Sequence, residues 1–288
     1  MASKKDVWMY ALGLFAGIWL VVQLWKCVAK VQNRGKNIWT CTTYFDFKDG
    51  LRWDSFVQAL DSIQTLHRPE TLTHIHRWIV VNEYCANPKQ NWKALIQEKY
   101  PYVEFIQKGP TEKGQARSIN IILEKIRGCN YWIQWEDTWV CRRSCLDRAF
   151  AVMDARPEIT QLQMTYHKGV VNWMDVENSR IHCEKVPADY CMIDPSPKTQ
   201  DTLDYDSYNL SKDIFPAWPL YSLLPSINRA AFYEDLGPMN EDPTLWPIKF
   251  EWDYARRWFR AGGIKAVLED GPVYRPNEKN HTSTYDVK

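Results

Sequence analysis

The chain is short of net charge: it carries only +1 over 288 residues. It offers no field for a polyanion, and nucleic acid is excluded as a partner on that ground. Its eight cysteines include no Cys-x-x-Cys pair, so the spacing of a zinc finger or ribbon is missing. There is no internal repeat, which rules out solenoids and propellers. Only one long uncharged run occurs, so a multi-spanning membrane protein is excluded too.

What is present is substantial. Hydrophobic residues make up 45% of the chain, enough to bury the core of one large domain or two small ones. The 15 Trp and 15 Tyr are suited to core and interface, and also to stacking on sugars or bases. Cys141 and Cys145 share one helix face and read as buried free thiols. A Cys183–Cys191 bridge requires an oxidising compartment.

The uncharged run extends from Trp8 to Trp25, with Trp8, Tyr10 and Trp25 near its ends. Its length roughly spans a bilayer core, and aromatics at both ends suit the two interfaces. With no small-residue cleavage site, it reads as an uncleaved single-pass anchor, residues 7–25 being the membrane contact. Lys4 and Lys5 precede it; Lys26, Lys30, Arg34 and Lys36 follow. The heavier positive flank downstream places the main domain on the cytosolic side. Asn209-Leu210-Ser211 and Asn280-His281-Thr282 are glycosylation sequons that suit the opposite side. The anchor and a polar linker occupy 1–36, and one domain occupies 37–288.

In that domain, apolar patterns of period two and period 3.6 alternate. Strands are expected at Ile38–Tyr44, Ile75–Val81, Tyr102–Gln107, Tyr131–Trp135, Thr160–Tyr166 and Ile264–Leu268. Helices are expected at Leu51–Leu66, Pro88–Tyr100, Gln115–Arg127, Arg143–Asp154 and Glu251–Ala261, and Ile227–Leu236 is also regular. The alternation predicts an α/β fold with a mostly parallel sheet flanked by helices. Between Val186 and Pro225 no period persists, and this stretch reads as a long functional loop.

The fourth strand ends in Glu136-Asp137. In open α/β sheets ligands sit at the carboxyl ends of the strands. Paired acids there suit a divalent cation, which in turn suits phosphates.

Several segments resemble GT-A glycosyltransferases, especially the family-2 group and relatives carrying Glu-Asp-Asp-Trp. Lys113-Gly114-Gln115-Ala116-Arg117-Ser118-Ile119-Asn120 resembles the Gly-x-x-x-Arg-x-x-Asn helix start. Glu136-Asp137-Thr138-Trp139 stands where the metal-binding acids stand, and Ser222 to Arg229 with Gly237-Pro238 resembles the acceptor-side segment. Phe250 to Gly262 resembles the helix that carries the catalytic acid. The resemblance covers roughly Ile38 to Arg275 and implies a Rossmann-like GT-A fold, which the uncharged run at Trp8–Trp25 precedes as one transmembrane helix. Its implied substrates are a nucleotide-sugar donor and a glycan, lipid or protein acceptor, with Mn or Mg as cation. Two departures stand out. The third acid of the metal motif is Thr138, and the late metal-binding His falls at Arg275.

The roles implied follow residue by residue. Glu136 and Asp137 take the diphosphate end, through a metal where one binds. Glu251 is the general base of an inverting displacement, with Asp253 in reserve. Thr43, Tyr44, Asn82 and Glu83 line the nucleoside pocket. Arg117 reaches a phosphate or the acidic strand end, against a helix-surface ion pair, and Asn120 supports it or serves the fold. Arg275 either replaces part of the metal's work, since a guanidinium pairs bidentately with phosphate, or simply pairs with an acid. Trp135, Trp139 and Trp252 stack on sugar or belong to the core. Thr138 and Arg275 also leave a second reading open, a catalytically degenerate GT-A scaffold that binds a glycan or protein at a membrane. A nucleotidyltransferase with a similar sheet is excluded by the missing Gly-rich phosphate loop after the first strand.

Overall fold

A computed structural model of the chain describes residues 15–19, 23, 33–47, 51–165, 181–194, 220–242 and 247–276. The Asn-Ile-Trp-Thr-Cys-Thr-Thr segment is rich in β-branched and aromatic side chains, which fit a pleated buried surface, and it forms β1 (Asn37–Thr43). It lies between β2 (Ile75–Asn82) and β4 (Tyr131–Glu136), parallel to both. β3 (Val103–Gln107) adds in parallel outside β2. The helices that cross between them are α1 (Leu51–Leu66), α2 (Pro69–Thr73), α3 (Trp92–Lys99) and α4 (Gln115–Lys125).

After β4 come β5 (Val140–Cys141), α5 (Leu146–Ala155), β6 (Gln161–Gln163), β7 (Ile181–Glu184) and β8 (Tyr190–Ile193). They are followed by β9 (Ser226–Arg229), α6 (Ala230–Leu236), α7 (Pro247–Arg260), β10 (Lys265–Leu268) and β11 (Val273–Tyr274). The main sheet has nine strands in the order β3-β2-β1-β4-β9-β6-β10-β8-β7, and β11 pairs with β5 apart from it. β9 runs against both β4 and β6, and β8 against β10 and β7. The sheet is therefore mixed, with a parallel half on β1–β4, as the βαβ spacing predicts.

Side chains alternate across the sheet. Trp39, Ile133 and Trp135 pack on the face covered by α1 and α5, whereas Ile38, Ile79 and Trp132 pack on the face of α4, α6 and α7. Most of the tryptophans in the sheet and in α7 are core, Trp135 and Trp252 among them.

Local details explain several element ends. His67 is buried and caps α5: its Nε2 accepts the amide hydrogens of Cys145 at 3.0 Å and Leu146 at 3.2 Å, while Nδ1 donates to the Ile63 carbonyl. Burial lowers its pKa, so the ring stays neutral in the one tautomer this arrangement needs. α7 ends at Gly262 with φ 81°, a left-handed conformation that favours glycine. At Gly263 a Cβ would meet the Trp258 ring at 2.3 Å.

Two expectations are corrected, and the open Cys183–Cys191 pairing is decided. The stretch after Val186 contains β8, which the surrounding Pro and Asp conceal and which long-range pairing with β10 creates. Cys183 and Cys191 form a disulfide that ties β7 to β8 across the pair. The expected linker docks onto the domain: Asn33 is buried, and its Nδ2 donates to the carbonyls of Lys125 and Arg127 at 2.9 Å, finishing the C-terminal end of α4. Most of the expected anchor and both sequons lie outside the described residues. Among the described residues no helix is long and apolar enough to cross a membrane.

Candidate functional site at the strand tips

The carboxyl ends of β1 and β4 are adjacent, with Thr42 in register with Glu136. Glu136, the last residue of β4, shares the strand face of Trp132 and Gln134, and Asp137, in the turn that follows, meets Arg52 of α1. Their partners differ accordingly. Glu136 accepts from Gln115 Nε2 at the start of α4 (3.0 Å) and from Trp139 Nε1 (3.1 Å), and Arg275 Nη2 lies 3.6 Å away. The Arg275 guanidinium stacks over the Trp139 ring at 4.7 Å, a cation–π contact.

Asp137 is 2% exposed, and Arg52 Nη1 from α1 donates to its Oδ1 at 2.7 Å. Burial raises the Asp137 pKa; Arg52, the Thr43 hydroxyl and the Tyr44 amide oppose the rise without cancelling it. Arg52 is the functional-site residue that sequence reasoning misses. Nothing in the pattern of α1 distinguishes an arginine that reaches 85 positions ahead.

This corner has an incomplete set of hydrogen bonds. Thr43 Oγ1, Gln115 Oε1, Asp137 Oδ2, Thr138 Oγ1 and Arg275 Nε are buried without a well-formed partner. Buried polar groups are normally paired, so such a concentration calls for an explanation.

Other expected site residues are engaged elsewhere. Asn82 is fully buried; its Oδ1 accepts from the Phe45 amide and its Nδ2 donates to Gln107 Oε1. Glu83 binds Lys108 Nζ at 2.8 Å and the Gly114 amide at 3.1 Å. The same ammonium reaches the Gly114 carbonyl and Ser118 Oγ, which locks the tips of β2 and β3 to the start of α4. Tyr44 packs beside Phe47. Arg117 pairs with Glu112 at 2.9 Å and Glu241 at 3.5 Å rather than with the strand-tip acids. Asn120 binds both the amide and the carbonyl of Met239, a structural role. Asp253 pairs with Arg257 one turn along α7.

Glu251 is buried on α7, and its Oε1 accepts the Leu223 amide hydrogen at 2.9 Å. The Leu223 carbonyl accepts from Gln134 Nε2 on β4. Gln134 and Glu136 project from the same face of the strand. One residue of main chain therefore links the α7 acid to the strand that carries Glu136.

No protein-family model matches the chain, and no curated protein matches it in sequence. Solved structures do. TarS 1-349 of S. aureus is similar over 82% of this chain and 58% of its own, at 14% identity and TM-score 0.51. The same protein has been solved in complex with UDP. GalNAc-T7, whose structure holds UDP, GalNAc and Mn2+, is similar over 84% of this chain and 44% of its own, at 11% identity and TM-score 0.50. The chain thus spans little more than half of the first and less than half of the second. At these identities the likeness is one of architecture, and it establishes the mixed α/β GT-A fold.

Proposed function

We propose that the chain transfers a sugar from a nucleotide-sugar donor to an acceptor hydroxyl. The observation that carries the reading is the unsatisfied corner at the ends of β1 and β4. Asp137 Oδ2 and Gln115 Oε1 accept, Arg275 Nε donates, and the hydroxyls of Thr43 and Thr138 do either. That mixture suits a ribose diphosphate, which brings both hydroxyl donors and phosphate acceptors. Its place at the carboxyl ends of parallel strands suits such a ligand too.

A divalent cation is held by oxygens whose negative charge is otherwise uncompensated. Here Asp137 is paired with Arg52, Glu136 faces Arg275, and Thr138 brings a neutral hydroxyl. This donor set does not fit Mn or Mg, and Arg275 is assigned to the donor diphosphate in the cation's stead. Glu251 is assigned the proton of the acceptor hydroxyl. The acceptor oxygen then bonds to the anomeric carbon as the bond to the diphosphate breaks, with inversion.

A panel of sugar nucleotides in a thermal-shift assay, with EDTA and with manganese, tests both parts. At a hundredfold excess over Kd a bound donor adds about 2.7 kcal/mol of stability, and the shift should be equal in the two conditions. A shift seen only with manganese overturns the cation-free assignment, and no shift with any sugar nucleotide overturns the transferase. Slow donor hydrolysis should disappear in Glu251→Gln.

The buried Arg52–Asp137 pair favours a second reading, a scaffold of this fold that binds a glycan or protein without turnover. Ligand binding unchanged by substitution of Asp137 and Glu251 would select it. We also propose a membrane location through residues 7–25. Phe15, Ile18 and Trp19 are exposed within the described part of that run, which supports contact with lipid.

A further inference from the structure

Lys265 lies on β10 with none of its surface exposed. Its Nζ donates to the Leu220 carbonyl at 2.7 Å and to Ser222 Oγ at 3.2 Å. Both acceptors belong to residues 220–225, the turn that leads into β9. This turn needs bracing, because Leu220 has φ 66°, a left-handed conformation in which a leucine Cβ crowds the backbone. Ser222 is gripped again from β6. Its amide donates to Gln161 Oε1, its carbonyl accepts from Gln161 Nε2, and its hydroxyl donates to Gln163 Oε1. The next residue, Leu223, delivers its amide hydrogen to Glu251. A single turn thus joins the Lys265 ammonium to the carboxylate of α7.

Gln161 on β6 and Ile193 on β8 are the strand neighbours of Lys265, and Glu251 on α7 is the charged group whose field favours its protonation. Burial dominates and pushes the lysine down to about 7.

We infer that Lys265 is a positioning residue for Glu251: the charged ammonium braces the 220–223 turn that holds the Glu251 carboxylate. The inference rests on the reading of Glu251 as general base. Below neutral pH the brace is charged and the turn is fixed. As pH rises through 7 the ammonium loses its proton, and its two remaining N–H groups hold the Leu220 carbonyl and Ser222 Oγ as a neutral donor, weaker than the charged one.

Two measurements on the full chain test this. The first follows the lysine side-chain carbons by NMR across pH, with Lys265→Arg used to assign the signal. The wild-type Lys265 signal should titrate near neutrality and move to lower pH in Glu251→Gln. Titration in the ordinary lysine range, or a position unmoved in Glu251→Gln, overturns the link. The second is donor turnover. Lys265→Met should lower kcat by about tenfold to a hundredfold with little change in KM, abolish the neutral limb of the pH profile, and be partly rescued in Lys265→Arg. Unchanged kcat and pH profile in Lys265→Met overturn the positioning role. If the wild type turns over no donor, the transferase reading fails, and the NMR titration still decides whether Lys265 and Glu251 act on one another.

Discussion

Asp137 keeps its carboxylate in the interior chiefly because Arg52 meets it there. The desolvation of a lone buried charge exceeds what neighbouring hydroxyls return. Arg52→Leu should therefore cost about 3–5 kcal/mol at pH 7, measured by urea unfolding. The pH dependence has a definite sign. The folded Asp137 pKa already lies above its ordinary value, so ionisation of this group costs stability, and the cost shrinks as pH falls through the folded value and is gone below the ordinary one. Without Arg52 the folded value climbs further, so the variant should lose less at pH 5 than at pH 7. Adding Asp137→Leu should restore most of the loss, and strictly additive effects would show that the pair is not coupled. At this scale the sequence was half legible. The acids announce themselves by closing a run of β-formers, and the contact of Arg275 with Glu136 was among the alternatives it offered. Arg52 and Lys265 were hidden, because a lysine or arginine in an ordinary helix or strand carries no mark of the distant group it will face. The same is true of the buried Gln134, Gln161 and Gln163.

Among elements, legibility followed length. α1 occupies its expected span, and β1, β2 and β4 differ from theirs by a residue or so. Their patterns run long enough for periodicity to be decisive. β8 has four residues and owes its existence to β10 and to the Cys183–Cys191 tie, so local pattern could not reveal it. The turn after α7 is a sharper case. Gly262 supplies the left-handed exit, whereas Gly263 supplies room, because the Trp258 ring occupies the space where a Cβ would stand. Gly263→Ala should lower stability by about 1–3 kcal/mol, the usual range for overpacking. Gly109→Ala is the control: the nearest atom to its added Cβ is 3.7 Å away, on the Glu112 side chain, and the substitution should be close to neutral. Equal melting temperatures for the two variants would show that Trp258 yields without cost.

For the molecule as a whole, a boundary drawn at Ile38 would sever a working contact. Asn33 closes the end of α4, and the Lys36 carbonyl accepts the Asn130 amide hydrogen. A fragment beginning at Asn33 and ending after the described residues, at position 276, should melt within a few degrees of the full chain, and one beginning at Ile38 should melt clearly lower, since an open helix end and a lost buried bond each cost about 1 kcal/mol or more. The Asn33 fragment should leave lipid vesicles in a flotation assay, while the full chain should rise with them. Flotation of both would move the membrane contact out of residues 7–25. Fold class was legible because alternating strand and helix periods admit few arrangements. The antiparallel insertion of β9 between β4 and β6 was not, since order within a sheet depends on pairings that no single segment encodes. That insertion has a mechanical consequence at Leu223. Its amide is tethered to the helix that bears Glu251 and its carbonyl to the strand that ends in Glu136. Leu223 is thus a single-residue tie between α7 and β4, and a displacement of either element is carried to the other through the two backbone torsions of one leucine.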